Sequence, residues 1–163
     1  MSSEVVGTEP ATDEDLREVL LVGYPLQLGV RASEHYEAVF REFALLAASQ
    51  EGGSGSLPDR MVALIDALGR RYARSRDQEQ QREDAIARGE STMDLALQVP
   101  ESVAEASRTL DRMLDETDEF CRDGTLLTLQ ADVDVVAFRR WYLREVVDQI
   151  AGHPARPWQG GAR

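Results

Sequence analysis

Lysine and asparagine are both missing from this 163-residue chain, and all 18 basic residues are arginines. Lysine and asparagine codons are AT-rich, so the bias points to a GC-rich genome. It reports codon supply before it reports a need for guanidinium geometry. Cysteine is nearly absent as well. Cys121 stands alone, which excludes an intramolecular disulfide. A lone thiol behind an acidic N-terminus with no basic start and no apolar stretch fits a reducing cytoplasm, and a cytoplasmic location is expected. Long apolar runs are missing too: none approaches the roughly 20 residues that cross a bilayer. Positive charge is scarce, with 30 acids giving a net charge of −12. Nucleic-acid binders need clustered cations to displace counterions, so DNA and RNA are excluded as main partners. The same sign argues against anionic membrane surfaces.

Catalytic signatures are equally thin. Only His35, His153 and Cys121 offer nitrogen or sulfur to a metal. They are scattered, without C-x-x-C or H-x-x-x-H spacing, and the paired E-x-x-H of a di-iron bundle occurs in neither copy. Cys121 sits among Asp118, Glu119 and Asp123. Negative neighbours raise a thiol pKa, the wrong direction for a nucleophile. No serine occupies a G-x-S-x-G turn, and the GGSGS stretch lacks the lysine and the strand-to-helix context of a phosphate loop. The carboxylate group Asp115, Asp118 and Glu119 is what so acidic a chain yields by chance. No catalytic residue, metal or cofactor is expected.

What is present is helical periodicity. Ala32, Tyr36, Val39, Phe40, Phe43, Leu46 and Ala47 recur at steps of three and four, predicting an amphipathic helix from about 26 to 48. EGGSGS follows as a loop, and Ser56 is a candidate N-cap for a second helix with Met61, Leu64, Ile65, Leu68 and Tyr72 inward. The polar stretch 74–89 either extends that helix or forms a separate exposed one. Ser102 and Glu105 make a capping-box pattern before the stripe Val103 to Cys121. A last helix runs from Asp132 or Asp134 to Ile150, with Val135, Val136, Leu143, Val146, Val147 and Ile150 inward.

Two segments are not helical in pattern. Residues 16–24 could be a strand or a helical turn. Residues 91–99 alternate with period two. The two either pair as a ribbon or cross the bundle ends. The expected fold class is all-α: a four- to five-helix bundle, antiparallel, with one or two short extended segments. The expected layout is a disordered acidic tail over 1–15, a helical domain over 16–152 and an extended C-terminal tail over 153–163.

One cluster has a composition suited to recognition. Phe138, Arg139, Arg140, Trp141, Tyr142, Leu143 and Arg144 gather three arginines and three aromatics within two helical turns. Residues 139–163 hold five arginines against two acids, whereas 101–122 hold seven acids against three arginines. The cluster is therefore either packed against the acidic helix, with its arginines in rim ion pairs, or exposed as an arginine-aromatic patch of the interface type. Arg139, Arg140, Trp141, Tyr142 and Arg144, joined by His35 and Glu42 on the first long helix, are the candidate binding residues for a partner or ligand. The burial of Arg139 and Trp141 decides between the two.

The strings YPLQLGVRASEHYEAVFREFALLA, RGESTMDLALQVP, LDETDEFCRDGTLLTL and FRRWYLREVVDQIAGHPARPW together resemble a group of small actinobacterial helical proteins. That group is associated with genes for anti-sigma-factor kinases, STAS-domain antagonists and serine phosphatases, the partner-switching system. The likeness covers most of residues 20–158, with matching positions at His35, Arg41, Glu42, Phe43, Asp94, Pro100, Glu119, Cys121, Phe138 to Tyr142 and Trp158. Gly29 departs from it, standing where the pattern often has a bulky residue. The resemblance implies a non-enzymatic regulatory or interaction protein with a protein partner, in partner-switching control of sigma-factor activity. The alternative is a sensor of a small anionic ligand bound by the arginine-aromatic patch. A third reading, an enzyme using carboxylates with His35, falls if His35 is exposed and isolated. A homodimer is compatible with each.

Overall fold

The computed structural model describes residues 15–49, 55–71 and 76–160. The expected acidic tail over 1–15 lies, but for Asp15, outside the described residues, as do most of the EGGSGS loop and Tyr72.

The chain opens with β1 (Leu16–Pro25), which feeds directly into α1 (Leu26–Ala48). Pro25 occupies the N-cap position with extended backbone, as its fixed φ favours. Next come α2 (Leu57–Arg71) and α3 (Arg76–Ala87), with the residues between them outside those described, then β2 (Thr92–Pro100), α4 (Val103–Arg122) and α5 (Val133–Ile150). Ser56 caps α2 only loosely, its Oγ accepting from the Asp59 N–H at 3.5 Å. The capping box expected at α4 does not form. Ser102 already has helical dihedrals, and its Oγ is buried without a partner. The turn after Pro100 winds early, with the Ala104 N–H on the Glu101 carbonyl, so Ser102 has no extended geometry from which to cap.

The all-α expectation is overturned. β1 and β2 form a two-stranded antiparallel sheet, so the fold is α+β. Val19 faces Leu97 and Leu21 faces Leu95 in the register. Val19, Leu21, Leu95, Leu97 and Val99 turn one face inward, while Glu18, Asp94, Ala96 and Gln98 turn outward. Two strands alone are marginal in water; this pair persists because its apolar face packs on α5 and the start of α1. A bulge interrupts the register between Leu21 and Tyr24. Gly23 accommodates it with φ +68, and its N–H donates to Asp94 Oδ1 at 2.8 Å. The outer edge of β1 is covered as well. Gln149 exchanges two hydrogen bonds with the Leu20 backbone, and the Trp158 N–H donates to the Val22 carbonyl. These contacts occupy backbone groups that would otherwise invite another strand.

Two apolar interiors result. One joins the ribbon to the first half of α1, to Ala85 of α3 and to α5. The other joins the second half of α1 to α2 and α4 through Val39, Phe43, Leu57, Met61, Met113 and Leu114. Among the described residues, no helix is long and apolar enough to cross a membrane.

Candidate functional site

Helical phase separates Arg139 from Arg140. Val135, Phe138, Arg139, Tyr142 and Val146 lie at steps of three and four on the inner face of α5, and Arg140 falls outside it. The Arg139 side chain is only 3% exposed, against 52% for Arg140. On α4, Asp111, Asp115 and Asp118 follow the same spacing and so share one face. Each takes one nitrogen of Arg139: Nε donates to Asp111 at 3.1 Å, Nη1 to Asp118 at 3.4 Å, and Nη2 to Asp115. Arg140 reaches Asp115 from outside at 3.1 Å. Burial works against the Asp115 carboxylate, but its hydrogen bonds to Arg140 and Arg139 outweigh that and hold its pKa below the usual range. Asp118 is itself 7% exposed. Removing one partner of such a buried ionic group costs far more than the intact group contributes.

The aromatic members of the cluster are also engaged. Trp141 is half-buried, its indole N–H donating to the Arg156 carbonyl at 2.9 Å and its ring set edge-on to Trp158 at 5.4 Å. Phe138 is buried between Tyr24, Trp141, Tyr142 and Trp158. Together they clasp the segment after α5, which Glu145, buried at 1% exposure, also holds by accepting from the Arg156 N–H. Arg144 remains exposed. So Arg139 is buried among carboxylates rather than held in a rim ion pair, and Trp141 is half-buried against the C-terminal segment.

A cleft opens beside this network, where the two apolar interiors meet without closing. It encloses about 200 Å³ between α1, α4, α5 and β2, with Gln78 and Arg82 of α3 at its mouth. Five rings, those of Tyr24, Tyr36, Phe40, Phe138 and Tyr142, line it together with leucines of β2, α4 and α5, and Arg139 forms part of the wall. The Tyr36 hydroxyl is buried beside the Arg139 guanidinium, and no acceptor lies within hydrogen-bond reach of its proton. Burial, moderated by the Arg139 charge, pushes its pKa up to about 12, so it keeps its proton. An unsatisfied buried hydroxyl is costly and rare enough to require a reason. Gly29 shapes the neighbouring wall: a Cβ there would stand 2.7 Å from the Tyr24 ring. Glycine at position 29 thus leaves room for Tyr24 against α1.

No family model, curated protein or solved structure matches this chain.

His35 and Glu42 lie apart from the cleft. His35 is half-buried and edge-on to Tyr36, with Nε2 enclosed and unbonded. Burial lowers its pKa, with Asp118 and Asp132 opposing the shift, and no carboxylate orients the ring as a base would require. Glu42 accepts from the Leu127 and Thr128 backbone N–H groups at 2.9 and 3.1 Å, fastening the loop between α4 and α5 to α1. The Cys121 thiol is buried and its pKa raised, by desolvation first and then by Asp118 and Glu42. Among the described residues, no group of three or more His, Cys, Asp or Glu could hold a metal ion. The paired acids on α4 are legible in the sequence as the steps of four and three from Asp111; the unsatisfied tyrosine carries no signal there.

Proposed function

We propose that this chain is a non-catalytic binding protein whose cleft beside Arg139 takes a small, mostly apolar molecule, with occupancy as its regulatory signal. The buried, unpartnered Tyr36 hydroxyl inside an open aromatic cleft carries this reading. The ionisable groups deepest in the cleft wall are the ion-paired Arg139 and the protonated Tyr36, which suits binding better than proton transfer. The Arg139 charge is already matched by three aspartates, which weighs against an anion as the ligand. A thermal-shift screen of small neutral and charged compounds tests the proposal. Hits are expected to raise the Tm of the native chain and to lose their effect in Leu110→Trp, which fills the cleft from α4. A flat screen, or hits indifferent to Leu110→Trp, overturns it.

A second reading, a protein-protein role in partner switching, has its own support. Leu127 and Leu129 are 94% and 82% exposed on the loop that Glu42 fastens, Val133 at the start of α5 is 77% exposed, and Leu45 of α1 is 71% exposed one turn beyond Glu42. Apolar side chains held outward on an anchored loop suit a partner surface. This reading expects a stable complex with a purified anti-sigma-factor kinase or STAS-domain antagonist, lost in Leu127→Asp/Leu129→Asp. A dimer of this chain that the same double variant dissolves would instead assign the surface to a second copy.

A further inference from the structure

Resting on the cleft reading above, we infer that the ligand is a neutral, planar aromatic molecule of one or two fused rings carrying a hydrogen-bond acceptor. Size sets the first bound. The cleft encloses about 200 Å³, and an apolar cavity of about 150 Å³ holds a benzene ring. A substituted single ring or a fused pair fits that space, and a nucleotide does not.

The walls set the shape. Five rings, those of Tyr24, Tyr36, Phe40, Phe138 and Tyr142, share the lining with five leucines, and rings prefer offset or edge-to-face contact with other rings. Arg139 strengthens the preference in an unusual way. Its Nε, Nη1 and Nη2 are all turned to carboxylates of α4, so what it offers the cleft is its flat face and methylene stem. A guanidinium face stacks on an aromatic ring, and with three of its five N–H groups already given to carboxylates the charge left for an anion is small. Three carboxylates around one guanidinium leave an excess of negative charge behind that wall, which repels a carboxylate or phosphate further. At the mouth, Glu37 and Arg82 bring opposite signs and favour neither charge. The polar handle is set by Tyr36. Its proton has no acceptor within the protein, so a ring nitrogen, carbonyl or hydroxyl on the ligand completes it.

Isothermal titration of the full chain with four probes of one skeleton tests this: 2-naphthol, its saturated analogue decahydro-2-naphthol, 2-naphthoate and 2-naphthylmethylammonium. The expected result is that 2-naphthol binds about tenfold or more tightly than each of the others, the gap of one hydrogen bond or stacking contact. Tyr36→Phe should weaken 2-naphthol about fivefold, leave naphthalene unchanged and leave the fold at least as stable, since the hydroxyl is unpaired in the free protein. If the saturated or a charged probe binds as well as 2-naphthol, or if Tyr36→Phe leaves 2-naphthol affinity unchanged, the aromatic assignment is overturned while the cleft reading stands. If none of the four binds while other compounds pass the Leu110→Trp test, the ligand class is likewise wrong. If nothing passes either test, both fall.

Discussion

The two ends of α1 face different interiors. Beyond Tyr36, Val39 and Phe43 enter a more tightly filled, mainly aliphatic core with Met61, Met113 and Leu114, where the remaining cavity is about 90 Å³ against about 200 Å³ at the cleft. Before it, Leu26 and Ala32 meet a ribbon, a buried ion group and a set of rings that clasp the C-terminal segment. Tyr36 touches both, and the cleft lies at that seam. A core of flexible aliphatic side chains fills its own gaps. Stiff rings around a fixed ionic group do not, and the space they leave brings an apolar wall and the idle Tyr36 hydroxyl together. Tighter filling at one end and incompleteness at the other separate the half that holds the fold from the half suited to binding.

Arg139 gives the largest expected contrast. Arg139→Ala leaves Asp118 buried and unpaired and should cost about 3–5 kcal/mol in urea unfolding, whereas the adjacent Arg140→Ala, exposed, should cost under about 1 kcal/mol. Equal effects would mean that the ionic group does not organise its end of the molecule. In the tighter core, Phe43→Ala should cost about 3–5 kcal/mol, and Phe40→Ala, on the cleft wall, clearly less, because the cavity it would enlarge already exists. Gly29→Ala presses on Tyr24 and should cost about 1–3 kcal/mol, with a matching loss of ligand effect in the thermal-shift assay.

The smallest effects are pH-dependent. Burial depresses the His35 pKa in the fold, so below about 6.5 the unfolded chain takes up a proton that the folded chain resists. Stability should therefore fall as pH drops from there toward the folded pKa, and His35→Gln should flatten that slope. Asp115 acts at lower pH in the same sense: its folded pKa is depressed, so its contribution is present above about 3.9 and lost as pH falls through the folded value. Tyr36 acts at the alkaline end. An unfolded tyrosine ionises near about 10 and this one at about 12, so stability should decline between those values. A spectrophotometric titration should show a late-ionising component that is lost in Tyr36→Phe.

Much of the helical frame was legible. The stripes from Ala32 to Phe43 and from Val103 to Cys121 follow from periodicity, because a helix with one apolar face has one way to hide it. The separation of Arg139 from Arg140 is also a matter of helical phase, and the aspartates of α4 stand in register for it. The ribbon was not legible as a pair. β1 and β2 meet across more than 60 residues of chain, and neither strand's pattern names its partner. Glu145 and Arg139 were missed as buried residues because charge predicts exposure unless partners are known.

Amino-acid order by itself determined the acidic character, the lone thiol and the one-sided helices, since each depends only on composition or on neighbours within a few turns. Tertiary structure alone decided that two extended segments become a sheet, that the arginine-aromatic cluster turns inward, and that a cleft with an unsatisfied tyrosine remains beside it. Those outcomes depend on which surfaces distant parts of the chain present to one another, and a gap between rings exists only once their positions are set in space.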